Sequence, residues 1–198
     1  MQLTTNPYPK DPEFKPDNSW ILLESPTNSW WTQLKAFPFV LINMGIVIVV
    51  FFLFKINFTL DFTTLLLSFL IFIPLHEFIH ALTFPAPISS SDIYLGFSLK
   101  EFMPFAAYTG KMTRTEALWN LIAPFIILSA LSFALLTFIP GNSLLKHIVL
   151  FNAMASCVDS MDAFRIIRRV PKDALLKDHL ESTYWQSVFA SKDNQTAQ

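Results

Sequence analysis

The segment FTTLLLSFLIFIPLHEFIHAL (residues 62–82) is long and apolar enough to cross a lipid bilayer as a helix, which requires about 20 residues. Asp61, directly before it, is a residue type that often caps the start of a helix. Near its far end the segment contains His76, Glu77 and His80. Ionisable side chains are costly inside a membrane and usually mark a functional site there. The segment therefore predicts a membrane-spanning helix that carries a site.

Three further segments are also long and apolar enough to span a bilayer: residues 37–54, 117–139 and 144–164. Charged residues make up only 15% of the 198 residues, whereas soluble domains contain roughly a quarter. A soluble helical bundle is the alternative, but the first and third segments are apolar on every face. We therefore expect an all-α integral membrane protein with four transmembrane helices. The net charge of −1 gives no reason to expect nucleic-acid binding.

The basic residues predict the orientation, because Lys and Arg concentrate in cytoplasmic flanks. Four spans place both termini and the connection between spans two and three on the same side. Twelve of the 14 basic residues fall on that side: Lys10, Lys15, Lys35, Lys100, Lys111, Arg114, Arg165, Arg168, Arg169, Lys172, Lys177 and Lys192. Lys55 and Lys146 fall on the other side. We expect a multi-pass protein of the cell membrane with both termini in the cytoplasm.

The regions outside the spans divide the chain further. Residues 1–34 are rich in proline and predict a loosely attached N-terminal cytoplasmic arm that is no signal peptide. Residues 35–165 form the membrane domain, and residues 166–198 a cytoplasmic tail that is either an amphipathic helix on anionic lipid or an ordinary basic flank. Residues 92–102 alternate apolar and polar side chains, which predicts a short β-hairpin or re-entrant loop between the second and third helices. A single cysteine excludes an internal disulfide.

His76 and His80 are four residues apart, so on a helix they share one face and can reach the same ion. Neutral imidazole is a good zinc ligand. Glu77 lies beside that face and can take up and pass on a proton from water that zinc has activated. The pattern H-E-x-x-H therefore predicts a hydrolytic zinc site. Hydrogen-bonded histidines at the end of the span are the structural alternative.

Two histidines are too few ligands for zinc, and the third must come from elsewhere. The extended metzincin pattern is absent, because Thr83 and Ala86 stand where it requires Gly and His. Asp159 and Asp162 are the acidic residues of the fourth span. Arg165 is placed to pair with Asp162 at i,i+3, whereas Asp159 has no cation within one turn. We therefore favour Asp159 as the ligand and Asp162 as a neighbouring or interfacial partner.

These residues resemble a known family. HEFIH in the second span, LIAPF in the third and N-x-x-x-S-x-x-D in the fourth are similar to the "putative zincin peptidase" family of small bacterial membrane proteins, which is in turn similar to the site-2 proteases. The resemblance covers roughly residues 35–165. It implies that His76, His80 and Asp159 are metal ligands, that Glu77 is the catalytic carboxylate and that Asn152 lies near the substrate. The N-x-x-P and Leu-Asp-Gly signatures of site-2 proteases are absent.

The function that follows is a zinc metalloendopeptidase that hydrolyses peptide bonds of a peptide or membrane-protein substrate within or just under the bilayer. Residues 92–102 are expected to hold the extended substrate as an added strand. The main alternative is a non-catalytic membrane protein with a structural metal site that binds a peptide or partner. His147 is then the candidate fourth ligand, although Lys146 beside it suggests the opposite membrane face. An ion transporter is a third alternative, against which the absence of repeats argues.

Overall fold

The structure, a computed structural model, describes residues 1–5, 11, 14–24, 29–99, 103–180 and 182–187. The helices in these residues are α1 (Ser29–Leu53), α2 (Phe62–Thr83), α3 (Arg114–Phe138), α4 (Ser143–Ala155) and α5 (Cys157–Arg169). The strands are β1 (Gln2–Thr4), β2 (Ile21–Glu24), β3 (Ile93–Ser98), β4 (Met103–Tyr108), β5 (Met112–Thr113), β6 (Ala174–His179) and β7 (Ser182–Ser187).

Three of the helices, α1, α2 and α3, are long and apolar enough to cross a membrane. Their outward faces expose large apolar side chains such as Phe52 and Leu70, which suit lipid contact. Asp61 caps α2 by accepting the backbone N–H of Thr64 at 2.7 Å, and this bond lowers the pKa of the Asp61 carboxyl. Thr113 and Glu116 form a capping box at the start of α3.

The predicted fourth span is not a single helix. It is divided into α4 and α5 at Ser156, and each part has 13 residues, about 20 Å at 1.5 Å per residue. Neither part alone crosses a hydrocarbon core of about 30 Å. The two parts follow each other along α1. Lys146 contacts the chain just after α1. Asn43, in the middle of α1, contacts Ala153 before the break and Ser160 after it. The expectation of four continuous spans is therefore corrected to three helices and a two-part fourth segment.

The expectation of an all-α protein is also wrong, because strands form two sheets. One has the order β1-β3-β4, with β1 parallel and β4 antiparallel to β3; the other is antiparallel, with the order β2-β7-β6-β5. A hairpin lies where one was expected, between α2 and α3. Strands β1 and β2 were missed because they pair with segments about 90 to 160 residues away.

The N-terminal region is attached more firmly than a loose arm. Gly96 of β3 lets β1 approach closely, since a Cβ there would lie 1.7 Å from the backbone oxygen of Thr4. Lys177 of β6 is buried, and its ammonium group donates to the Asp11 carboxylate at 2.7 Å and to the backbone oxygen of Thr109. A buried ammonium group needs such partners. Asp11 therefore ties the N-terminal region to the second sheet.

All these strands meet at one end of the helix bundle. Pairing of β1 with β3, and of β2 with β7, brings together the regions before α1, between α2 and α3, and after α5. A shared apolar core under the sheets includes Phe84 after α2, Ile93 of β3, Ile166 of α5 and Leu176 of β6. This core fixes the sheet end of α2, where the HEFIH sequence lies, against α5 and the strands.

Candidate metal centre

The two histidines of HEFIH lie one turn apart on the inner face of α2. His76 and His80 are buried, with 5% and 8% of their surface exposed, and their ring centroids are 5.0 Å apart. Their position follows from the helical repeat, which places residues four apart on the same face. Helix α2 continues through Pro74 without interruption.

Asp159 in the first turn of α5 approaches both rings. Its Oδ2 is 3.3 Å from Nε2 of His76 and 3.6 Å from Nε2 of His80. One donor atom from each residue lies within 4.8 Å of the others. A tetrahedral zinc ion with bonds of about 2.0–2.1 Å keeps its ligand atoms about 3.3 Å apart. Two imidazole nitrogens and a carboxylate oxygen at these separations therefore fit zinc, and a set of three leaves a fourth position for water or substrate.

Glu77 lies next to this group without being part of it. Its carboxylate interacts electrostatically with His76, His80 and Asp159, and it also contacts the backbone N–H of Ala106 in β4. Glu77 thus faces the sheet, between the histidines and β4. A carboxylate in this position is close enough to exchange protons with water at the centre but is not one of the three convergent donors.

Asn152 of α4 is fully buried against His76. Its Oδ1 lies 3.1 Å from Nδ1 of His76, and its Nδ2 contacts the backbone oxygens of Pro124 and Phe125 and the Oγ of Ser129. The structure brings Asn152 against His76, and the place near the substrate that the resemblance implies stays a prediction.

Asn120 of α3 is a residue that sequence reasoning missed. It is 6% exposed, and its Nδ2 donates to the backbone oxygen of His80 and to Oγ1 of Thr83, both at 2.8 Å. A signal was present, because an amide in an apolar span needs a polar partner.

The remaining candidates lie outside the group. Asp162 forms an ion pair with Arg165, with Nη1 and Oδ1 2.7 Å apart, as their spacing predicts. His147 donates from Nδ1 to the backbone oxygen of Ser143 at 2.7 Å and packs against Phe58, at the end of the bundle away from the sheets. Within the described part of the chain, the convergent group therefore contains two histidines and one aspartate.

Comparison with known proteins gives one match. A family model described as "putative zincin peptidase" matches residues 69–175, which is more than half of the chain. The matched region contains HEFIH, the β3–β4 hairpin, α3, α4 and α5. No curated protein and no solved structure showed significant similarity to the chain.

The geometry predicts which aspartate holds the metal. Wild-type protein purified in detergent should contain about one zinc ion per chain by elemental analysis. Asp159→Ala should lose it, because Asp159 supplies the third converging donor. Asp162→Ala is the matched control: it removes a carboxylate one turn away on the same helix and should retain zinc.

Folding of each variant is checked by size-exclusion chromatography, so that zinc loss is not confused with unfolding. Zinc loss from Asp162→Ala alone would reverse the assignment. Full zinc content in a His76→Ala, His80→Ala double variant would show that the metal binds elsewhere.

Proposed function

The chain belongs to the family described as putative zincin peptidases, and on that basis we propose that it is a zinc metalloendopeptidase acting within or just under the membrane. The observation that carries the proposal is the convergence of His76, His80 and Asp159 on one point beside Glu77. The family implies zinc, and the three donors are of the kind and number found in catalytic zinc sites.

The proposed chemistry divides the work between the metal and Glu77. Zinc in such a site acts as a Lewis acid on the scissile carbonyl and makes water a better nucleophile near neutral pH. The carboxylate of Glu77 takes the proton from the attacking water and delivers it to the amine nitrogen of the departing peptide. Its position beside the three donors suits this role.

The depth of the site supports hydrolysis near a membrane surface. His76 follows Phe62 by fourteen residues, about 21 Å along a helix that rises 1.5 Å per residue. The histidines therefore lie towards the sheet end of α2, and Glu77 faces a strand. Water and an unwound peptide would reach the centre from this end.

We place the substrate on β4 rather than on residues 92–102 as a whole. Strand β3 has neighbours on both sides, β1 and β4, so its edges are occupied. Opposite residues in an antiparallel pair alternate between those that hydrogen-bond each other and those whose backbone N–H and C=O point away from the partner strand. The bond from the Thr109 N–H to the Asp92 oxygen shows that these two residues form a hydrogen-bonded pair. Counting from that pair in the register that places Leu95 opposite Ala106, the backbone of Ala106 points away from β3.

The outer edge of β4 thus presents backbone groups next to Glu77, and no strand among the described residues pairs with it. An extended peptide can add to such an edge through main-chain hydrogen bonds. A carbonyl of the incoming peptide would accept the Ala106 N–H in place of Glu77. The Glu77 carboxylate would then be released towards the scissile bond.

The principal rival is a structural metal site. A closed zinc site has four protein ligands, whereas three donors converge in the described residues, and His147 lies far from them. A variant that keeps the metal but loses cleavage activity would distinguish an enzyme from a structural metal site and from a transporter.

Glu77→Gln should abolish cleavage while zinc remains bound, because the amide keeps the shape of the side chain but cannot accept the proton. We expect a loss of at least about a hundredfold in kcat, within the range for general acid–base catalysis. Membrane proteomes of cells that express wild-type or Glu77→Gln protein identify the substrates. Identical proteomes, together with equal cleavage of any candidate peptide by both proteins, would favour the structural site.

Ala106→Pro should raise the KM for a peptide from an identified cleavage site by tenfold or more. Proline removes the N–H that points outward from β4, but no bond to β3 is lost. Ala106→Ser, which keeps the N–H, is the matched control and should behave like the wild type. A fall in kcat with unchanged KM would instead indicate that the Ala106 contact only positions Glu77.

Both termini and the sheets are proposed to be cytoplasmic, from the bias of twelve basic residues against two. In a Cys157→Ser background, Asn57→Cys and Gly141→Cys should react with a membrane-impermeant maleimide from outside, and Lys172→Cys only after permeabilisation. Gly141 suits this test because its Cβ position is open. The opposite labelling pattern would reverse the orientation.

A further inference from the structure

Two buried asparagines reach the histidines of α2 from other helices. Asn120 of α3 donates to the backbone oxygen of His80, whereas Asn152 of α4 contacts the ring of His76 at Nδ1. Both histidines direct Nε2 towards Asp159. Asn152 therefore meets the nitrogen of His76 that lies away from Asp159.

The orientation of the Asn152 amide is fixed by its surroundings. The backbone oxygens of Pro124 and Phe125 can only accept hydrogen bonds, and they lie 3.1 and 3.2 Å from Nδ2. The amide nitrogen must therefore face α3, and Oδ1 must face His76. Because Oδ1 can only accept, Nδ1 of His76 carries a proton, and Nε2 is the nitrogen left to bind a metal.

Asn120 supports α2 in a different way. Its Nδ2 donates to the backbone oxygen of His80 and to Oγ1 of Thr83. Thr83 in turn donates to the backbone oxygens of Ile79 and His80. These bonds join the backbone of α2 at His80 to α3.

We propose that Asn152 is a positioning residue that fixes the Nδ1–H form of His76, so that Nε2 of His76 is left to bind the metal. This inference rests on the proposed metal role of the histidines. Partners that orient ligating histidines typically change metal affinity by 10- to 100-fold when they are removed. Each asparagine also joins α2 to its own helix, which couples ligand orientation to the packing of the bundle.

The experiment compares variants that keep or remove the accepting oxygen at 152. Asn152→Leu has a similar shape but no acceptor, and it should weaken zinc binding by 10- to 100-fold in competition with a chromophoric chelator. Asn152→Asp keeps an oxygen for the Nδ1–H of His76 but turns its second oxygen towards two backbone oxygens. Among folded variants it should bind zinc more tightly than Asn152→Leu. Ser129→Ala removes one acceptor of Nδ2 without touching His76 and should bind like the wild type.

Cobalt(II) substitution adds a spectroscopic readout. The visible absorption should change in Asn152→Leu and be preserved in Ser129→Ala, which a purely structural role would not predict.

A measurement on the wild type covers the case in which Asn152→Leu does not fold. Nitrogen-15 NMR of histidine-labelled, zinc-loaded protein should show His76 with a protonated Nδ1 and a metal-bound Nε2. A protonated Nε2 on His76, or Asn152→Leu protein that binds zinc and cobalt like the wild type, would overturn the inference while leaving the peptidase proposal standing. A wild-type protein that binds no zinc would instead overturn the peptidase proposal.

Discussion

Placing two imidazoles and two carboxylates inside an apolar helix bundle is the constraint on which the rest of this structure depends. Each of these groups is costly to bury unless it is paired or hydrogen-bonded. Asp159 lies between His76 and His80, and Glu77 contacts the Ala106 backbone. Asn152 meets the far side of the His76 ring, and Asn120 donates to the backbone oxygen of His80. Polar partners thus come from α3, α4, α5 and β4. Any other rotation of α2 about its own axis would leave these buried polar groups without partners.

The break of the fourth segment at Ser156 is part of how these buried groups find partners. Asn152 in α4 and Asp159 in α5 contact two different nitrogens of the same His76 ring. The residues that approach the histidines are thus supplied from both sides of the break. Asn43 of α1 contacts Ala153 and Ser160, one on each side, and stabilises the join. The site and the irregularity of the helix are therefore parts of one arrangement.

The sequence predicted the features that depend on local pattern. Helices α1, α2 and α3 follow from apolar length, and the meeting of His76 with His80 follows from the helical repeat. The pairing of Asp162 with Arg165 follows from an i,i+3 spacing. The break at Ser156 has no proline or glycine to mark it. Strands β1 and β2 depend on partners far away in the chain, and Asn120 resembles any polar residue of a span until its contact with His80 is seen.

The position of the sheets bears on how the proposed peptide hydrolysis would be compatible with a membrane setting. A peptide unwound for cleavage exposes backbone N–H and C=O groups, which an apolar medium cannot satisfy. In the described structure, β4 has a strand edge beside Glu77 with which no described strand pairs, and the strands lie at the histidine end of α2. Such an edge would replace the hydrogen bonds that a substrate loses on unwinding. The proposed ligands, the proposed proton acceptor and an open backbone edge thus lie at the same end of the bundle, as a membrane peptidase would require.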